Sequence, residues 1–247
     1  MTLEELIQQA YKIFEKYTIG TTLDVCKRCC VSDSDEAALI NTPLKEITAQ
    51  QLRSGYFESA RSYSERELWE MKHFLPRVLE LMTHFEVPDA ATETVFHRLE
   101  LHKQDQWTTE EMQLLTDFSK LFFEKCLSYY PYSLDGEGIS TYLVMFSSAH
   151  FDLKPILESW EYSESTECVL HYKDLVLIDC EYGEQNSIIL KNAFNKPETN
   201  IEIEKWLNDR PSKTRFSEKI NQILTQTNSL DSETVSDLTF LKDMLIL

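Results

Sequence analysis

Glycine is the first thing missing. The chain holds 5 in 247 residues, where an average globular protein draws about 7% of its positions from it. Phosphate-cradling loops, tight strand turns and doubly wound sheets all consume glycine, so nucleotide-binding α/β folds are disfavoured. The one close pair, Gly136 and Gly138 in LDGEGIS, lacks the later glycine of GxGxxG and follows no convincing strand. It reads as a loop between helices.

Positive charge is also short. Against 42 acidic residues stand 24 basic ones, a net charge of −18. A field of that sign repels phosphate backbones and anionic headgroups within a Debye length, which argues against nucleic acid and membrane surfaces as partners. A protein with a basic contact surface is the natural partner, although surplus acid also serves plain solubility. No run approaches the 18 apolar residues of a membrane span. The segment MTLEELIQQAYKIFEKY carries acids where a signal peptide carries cations. The expectation is a cytoplasmic chain whose six cysteines stay reduced.

Catalytic signatures are absent as well. No HExxH, GxSxG or SxxK occurs, and His97 and His102 stand five apart, off any shared helical face. Neither an enzyme nor a resident cofactor is expected.

What the chain has is helical periodicity punctuated by capping boxes. Thr2 with Glu5 opens a stripe of Leu3, Leu6, Ile7, Ala10, Phe14 and Tyr17 that Gly20 should stop. Ser32 or Asp33 caps a helix through Ile40, and Asn41-Thr-Pro ends it. Thr48 with Gln51 starts a helix carrying Leu52, Tyr56 and Ala60. Ser64 with Glu67 starts a longer one bearing Leu68, Met71, Leu75, Val78, Leu79 and Met82, with Pro76 expected to bend or restart it near Phe74. A helix from Pro88 and Asp89 should carry Val95 and Leu99. Thr108 with Glu111 begins an apolar helix of Met112, Leu115, Phe118, Phe122, Cys126 and Tyr129, ended by Pro131. Further helices are expected over 139–150, 153–163, 201–208, 214–225 and 233–245. Residues 168–180, CVLHYKDLVLIDC, fit a buried strand or a buried helix, and helix is the reading adopted. The fold class is therefore all-α, a multi-helix bundle or an irregular α-solenoid-like array of short antiparallel helices. It should form a single domain over 1–247, with a subdivision near 183–199.

Two segments merit a chemical reading. In Cys26-Lys27-Arg28-Cys29-Cys30, a Cys-x-x-Cys pair brings two thiolates to one Zn²⁺ or forms a redox couple. A closed zinc site needs four ligands, and no second pair lies downstream. Thioredoxin-like chemistry needs a βαβ context that so glycine-poor a chain lacks. The adopted reading is small buried thiols at a helix entry, with Cys26, Cys29 and Cys30 kept as metal candidates. In ESWEYSESTE, residues 158–167, the carboxylates Glu158, Glu161, Glu164 and Glu167 recur every third position beside Trp160 and Tyr162. On one helical side they would suit a basic partner's interface; the alternative is a solvated helix end with its aromatics in the core.

LDVCKRCCVSDSDEAAL, TPLKEITAQQL with SGYFESA, and HFLPRVLELM together resemble a family of bacterial proteins with a Cys-x-x-Cys-Cys segment and a later F-L-P-R-x-L-E motif, for which no activity is established. KNAFNKPETNIEIEKWLND is similar to that family's downstream Asn-Ala-Phe and Trp-Leu segments. The resemblance thus spans nearly the whole chain and implies helix over strand for 168–180. In size and acidity the chain is also similar to the immunity proteins paired with Rhs or contact-dependent toxins. That likeness implies a stoichiometric inhibitor that occludes a toxin's active site with carboxylates. The competing expectation is a metal- or redox-linked protein centred on Cys26, Cys29 and Cys30.

Overall fold

The computed structural model describes residues 1–184, 187–191, 194, 197–226 and 230–246, with the backbone alone at 197–199. The chain divides into two compact units, Met1–Phe122 with Ser148–Phe151 and Phe123–Ser147 with Asp152–Leu247. The stretch 183–199, where the sequence places a subdivision, lies inside the second unit, and part of it falls outside the described residues. So do Asn192 and Ala193 of the Asn-Ala-Phe segment. The fold is all-α, as the periodicity predicts, with one small hairpin added.

In the first unit, α1 (Leu3–Ile13) begins at a capping box. The Thr2 hydroxyl accepts the Glu5 N–H at 3.2 Å, and the Thr2 N–H donates to Glu5 Oε2 at 2.8 Å. Leu6, Ile7 and Ala10 are buried, and the helix packs on α4 (Glu65–Thr83). It ends at Ile13, short of Gly20, because Phe14 and Tyr17 turn inward and the Tyr17 N–H bonds the Phe14 carbonyl. Ser64 caps α4 by accepting the Glu67 N–H at 2.9 Å. Pro76 sits inside that helix and does not end it.

Between these helices lie α2 (Asp33–Asn41), α3 (Ala49–Leu52) and a π-helical turn, Arg53–Phe57. Gly55 occupies the turn because α2 lies against it: a Cβ there would come within 2.9 Å of Leu39 Cδ2 and 3.1 Å of the Asp35 carbonyl oxygen. The helix expected after Pro88 is not formed. Its place is taken by 3-10 turns at Thr92–Thr94 and His97–Leu99, and the chain turns at Glu100, whose φ is 50°. Val95, Phe96, Leu99 and Leu101 are all buried, so the segment is enclosed on several sides and gains nothing from a one-sided helical stripe.

A polar cluster around Glu111 is sunk in this unit. Glu111 accepts from Tyr17 Oη at 2.7 Å, pairs with Lys72 Nζ at 3.1 Å and with Lys16 Nζ at 2.8 Å, and closes a capping box with Thr108. Burial pushes its carboxyl up. The hydrogen bonds from Lys16, Tyr17, the Thr108 amide and Lys72 outweigh that and hold it at about 2.

α5 (Thr109–Leu127) belongs to the first unit through Phe122 and to the second from Phe123. The second unit then contains α6 (Ile139–Ser148, through Ser147), α7 (Lys154–Tyr162), α8 (Thr166–Leu177), β1 (Cys180–Tyr182), β2 (Ile188–Leu190), α9 (Pro197–Asn208), α10 (Arg210–Gln226) and α11 (Ser232–Ile246). Residues 168–177 are helical, as adopted, but Cys180 begins a strand, paired antiparallel with Leu190. Helix α9 completes that two-stranded sheet. The Asn208 side chain bonds both the N–H and the carbonyl of Ile188, at 2.9 and 2.8 Å, and Asn200 donates to the Leu190 carbonyl. The exposed edge is thereby satisfied without a third strand. Tyr172 and Phe216 stack at 3.7 Å between ring centres, with Trp160 and Trp206 packed around them as the aromatic core.

Candidate metal centre

The segment between α1 and α2 is pinned by its apolar residues and lifted by its cysteines. Leu23 and Val31 are buried at its two ends. Between them, Cys26 starts a tight turn whose carbonyl accepts the N–H groups of Cys30 and Val31, at 3.3 and 3.1 Å. Ser32 then caps α2, accepting the Asp35 N–H at 3.1 Å.

Side chains from three other elements hold this backbone in place. The Leu23 N–H donates to Glu36 Oε1 at 2.7 Å, the Asp24 N–H to Glu70 Oε2 at 2.8 Å and the Cys26 N–H to Ser59 Oγ at 2.7 Å. Arg66 reaches the Thr22 carbonyl at 2.6 Å, and Asp24 accepts from Ser62 and Ser64. Lys27 pairs with Glu36 at 2.6 Å and Asp33 at 3.1 Å. Burial pushes the Glu36 carboxyl up, but the Leu23 amide and Lys27 outweigh it and hold it below its ordinary value. Ser59 is itself fixed, since the buried Arg98 donates to the carbonyls of Phe57 and Ser59 and pairs with the buried Glu67. Such outer anchoring orients the groups that meet a ligand.

The anchored turn gathers three thiols at the surface. Cys26 Sγ lies 3.5 Å from Cys29 Sγ, which lies 3.3 Å from Cys30 Sγ, and all three fall within 4.8 Å of one another. Cys29 is exposed, and Cys26 and Cys30 are partly so. The reading of these residues as small buried core thiols is therefore corrected: the apolar neighbours Leu23 and Val31 take the buried positions and leave the sulfurs outside. The backbone N–H of Arg28, the Cys29 thiol and the Cys29 N–H all point at Cys26 Sγ and lower its pKa; Cys30 and Cys26 push Cys29 up to about 11.

Tetrahedral coordination with Zn–S bonds of about 2.3 Å sets sulfurs about 3.8 Å apart, a spacing this turn reaches with small side-chain movement. No pair stands at the ~2.05 Å of a disulfide, and the six cysteines are free. Lying between α1 and α2, the turn has no βαβ setting of the kind a thioredoxin-like couple uses. Among the described residues, no other three His, Cys, Asp or Glu side chains converge in this way. Compared with family models, curated proteins and solved structures, the chain matches none.

The acidic segment is arranged differently. Its carboxylates do not share one helical side, because α7 stops at Tyr162 and Ser165 caps a new helix. Trp160 is fully buried and donates to the Cys168 carbonyl. Glu161 is buried too, accepting from Trp206, Ser212 and Arg215. Glu158 and Tyr162 are exposed, with Lys154 and Arg215 as their respective neighbours; Glu164 and Glu167 are exposed as well. Glu158 and Glu161 also line a cleft of about 340 Å³ between α7, α9 and α10, with Glu202, Asp209, Lys154, Lys205 and Trp206. Cys126, Cys168 and Cys180 are buried, and His73 and His171 bond the carbonyls of Tyr17 and Tyr129.

Sequence reasoning singled out the three thiols but missed Ser59, Glu36 and Glu70. Ser59 and Glu70 lie 33 and 46 residues from the backbone groups they bind, and no local pattern marks such partners.

Proposed function

We propose that this protein binds one zinc-class ion through the thiolates of Cys26, Cys29 and Cys30. The observation that carries the reading is the convergence of three surface sulfurs within 4.8 Å on a turn that side chains from separate elements hold. Thiolates favour d¹⁰ ions of this softness over magnesium or calcium. Anaerobic titration with Zn²⁺ against a chromophoric chelator tests it. One zinc should be taken per chain, and none by the Cys26→Ser, Cys29→Ser, Cys30→Ser triple variant. A parent that takes up no zinc ends the reading.

A second reading is favoured by the cleft of the second unit, where the acids Glu158, Glu161, Glu202 and Asp209 outnumber Lys154 and Lys205. In a chain of net charge −18, such a surface suits a basic protein partner. An immunity protein that blocks a bacterial toxin is its fullest form. Association with that partner should slow as salt rises, and slow again on Glu158→Lys with Glu202→Lys. A salt-independent on-rate would remove the electrostatic ground for it.

A further inference from the structure

Zinc prefers four ligands, and the described residues offer three. Cys29 is exposed and Cys26 and Cys30 are partly so, which leaves the cluster open to a ligand from solvent. Of the two cations on the turn, Lys27 is bound by Glu36 and Asp33, whereas Arg28 is exposed and forms no ion pair among the described residues. Arg28 adjoins Cys29 in the turn, and an unpaired guanidinium on it is a local attraction for an anion that the rest of so acidic a molecule repels.

We propose that the site accepts a small thiol bearing carboxylates as its fourth ligand, with sulfur on the zinc and a carboxylate on Arg28; this rests on the zinc reading above. The exchange is redox-neutral. The zinc–water bond breaks, a zinc–sulfur bond forms, and the thiol proton leaves with the displaced water.

Cobalt(II) in place of zinc makes the step visible, since each thiolate adds sulfur-to-cobalt charge-transfer absorbance. The cobalt-loaded protein, kept anaerobic, is titrated with glutathione, which carries carboxylates, and with the neutral 2-mercaptoethanol. Glutathione should raise the absorbance to a four-thiolate level and bind about threefold more tightly than the neutral thiol, the scale of one exposed ion pair. Arg28→Gln should abolish that preference, with cobalt content measured beside it. A three-thiolate spectrum that glutathione leaves unchanged, or cobalt stripped from the protein, overturns this inference and leaves the zinc reading standing. Equal affinity for the two thiols overturns the role of Arg28. Absence of any thiolate–cobalt bands overturns the zinc reading itself, and this inference with it.

Discussion

The hydroxyl oxygen of Ser59 lies 2.7 Å from the backbone nitrogen of Cys26, 33 residues away in sequence. Through that one bond, the loop leading into α4 fixes the first residue of the thiol turn. Ser59→Ala should leave the helical circular dichroism unchanged and lower zinc affinity by roughly tenfold, the usual scale for an orienting partner behind a metal ligand. Unchanged affinity in a competition titration would show that the turn positions its thiols without Ser59.

Arg98 supports Ser59 from beneath. It is buried, pairs with buried Glu67 and donates to the Ser59 carbonyl. Arg98→Met should cost about 3–5 kcal/mol in urea unfolding, because Glu67 would lose a buried guanidinium partner. A cost below 1 kcal/mol would mean that Arg61, the other cation on Glu67, suffices alone.

The all-helical class was legible because capping boxes at Thr2, Thr48 and Thr108 and the caps at Ser32 and Ser64 are local devices, read within four residues. Segments whose form depends on distant neighbours were not. The 3-10 turns around Thr92 and His97 follow from enclosure of Val95, Phe96 and Leu99, and the hairpin at Cys180 depends on Asn200 and Asn208 of α9. The thiol cluster lay between these cases. Its members are adjacent in sequence, but their exposure depends on which neighbours take the core.

Gly55 gives a packing test. A methyl group there would meet Leu39 Cδ2 at 2.9 Å and the Asp35 carbonyl oxygen at 3.1 Å. Gly55→Ala should destabilise the protein by about 1–3 kcal/mol, the usual cost of overpacking. An unchanged urea midpoint would show that α2 yields freely.

Acid should act through Glu111. Its carboxyl is depressed from 4.5 to about 2, so the stability it contributes is complete above its ordinary pKa and is lost as pH falls through about 2. The full effect is about 3 kcal/mol. The difference in urea stability between the parent and Glu111→Gln should therefore be largest above pH 5 and shrink towards pH 2. A difference that holds constant across that range would place the stabilisation elsewhere.

X-ray absorption at the zinc edge tests the metal centre most directly. Protein loaded with one equivalent of zinc, free of added thiol, should show three sulfurs at about 2.3 Å and one lighter atom at about 2.0 Å. A shell of oxygen and nitrogen alone would contradict binding by Cys26, Cys29 and Cys30.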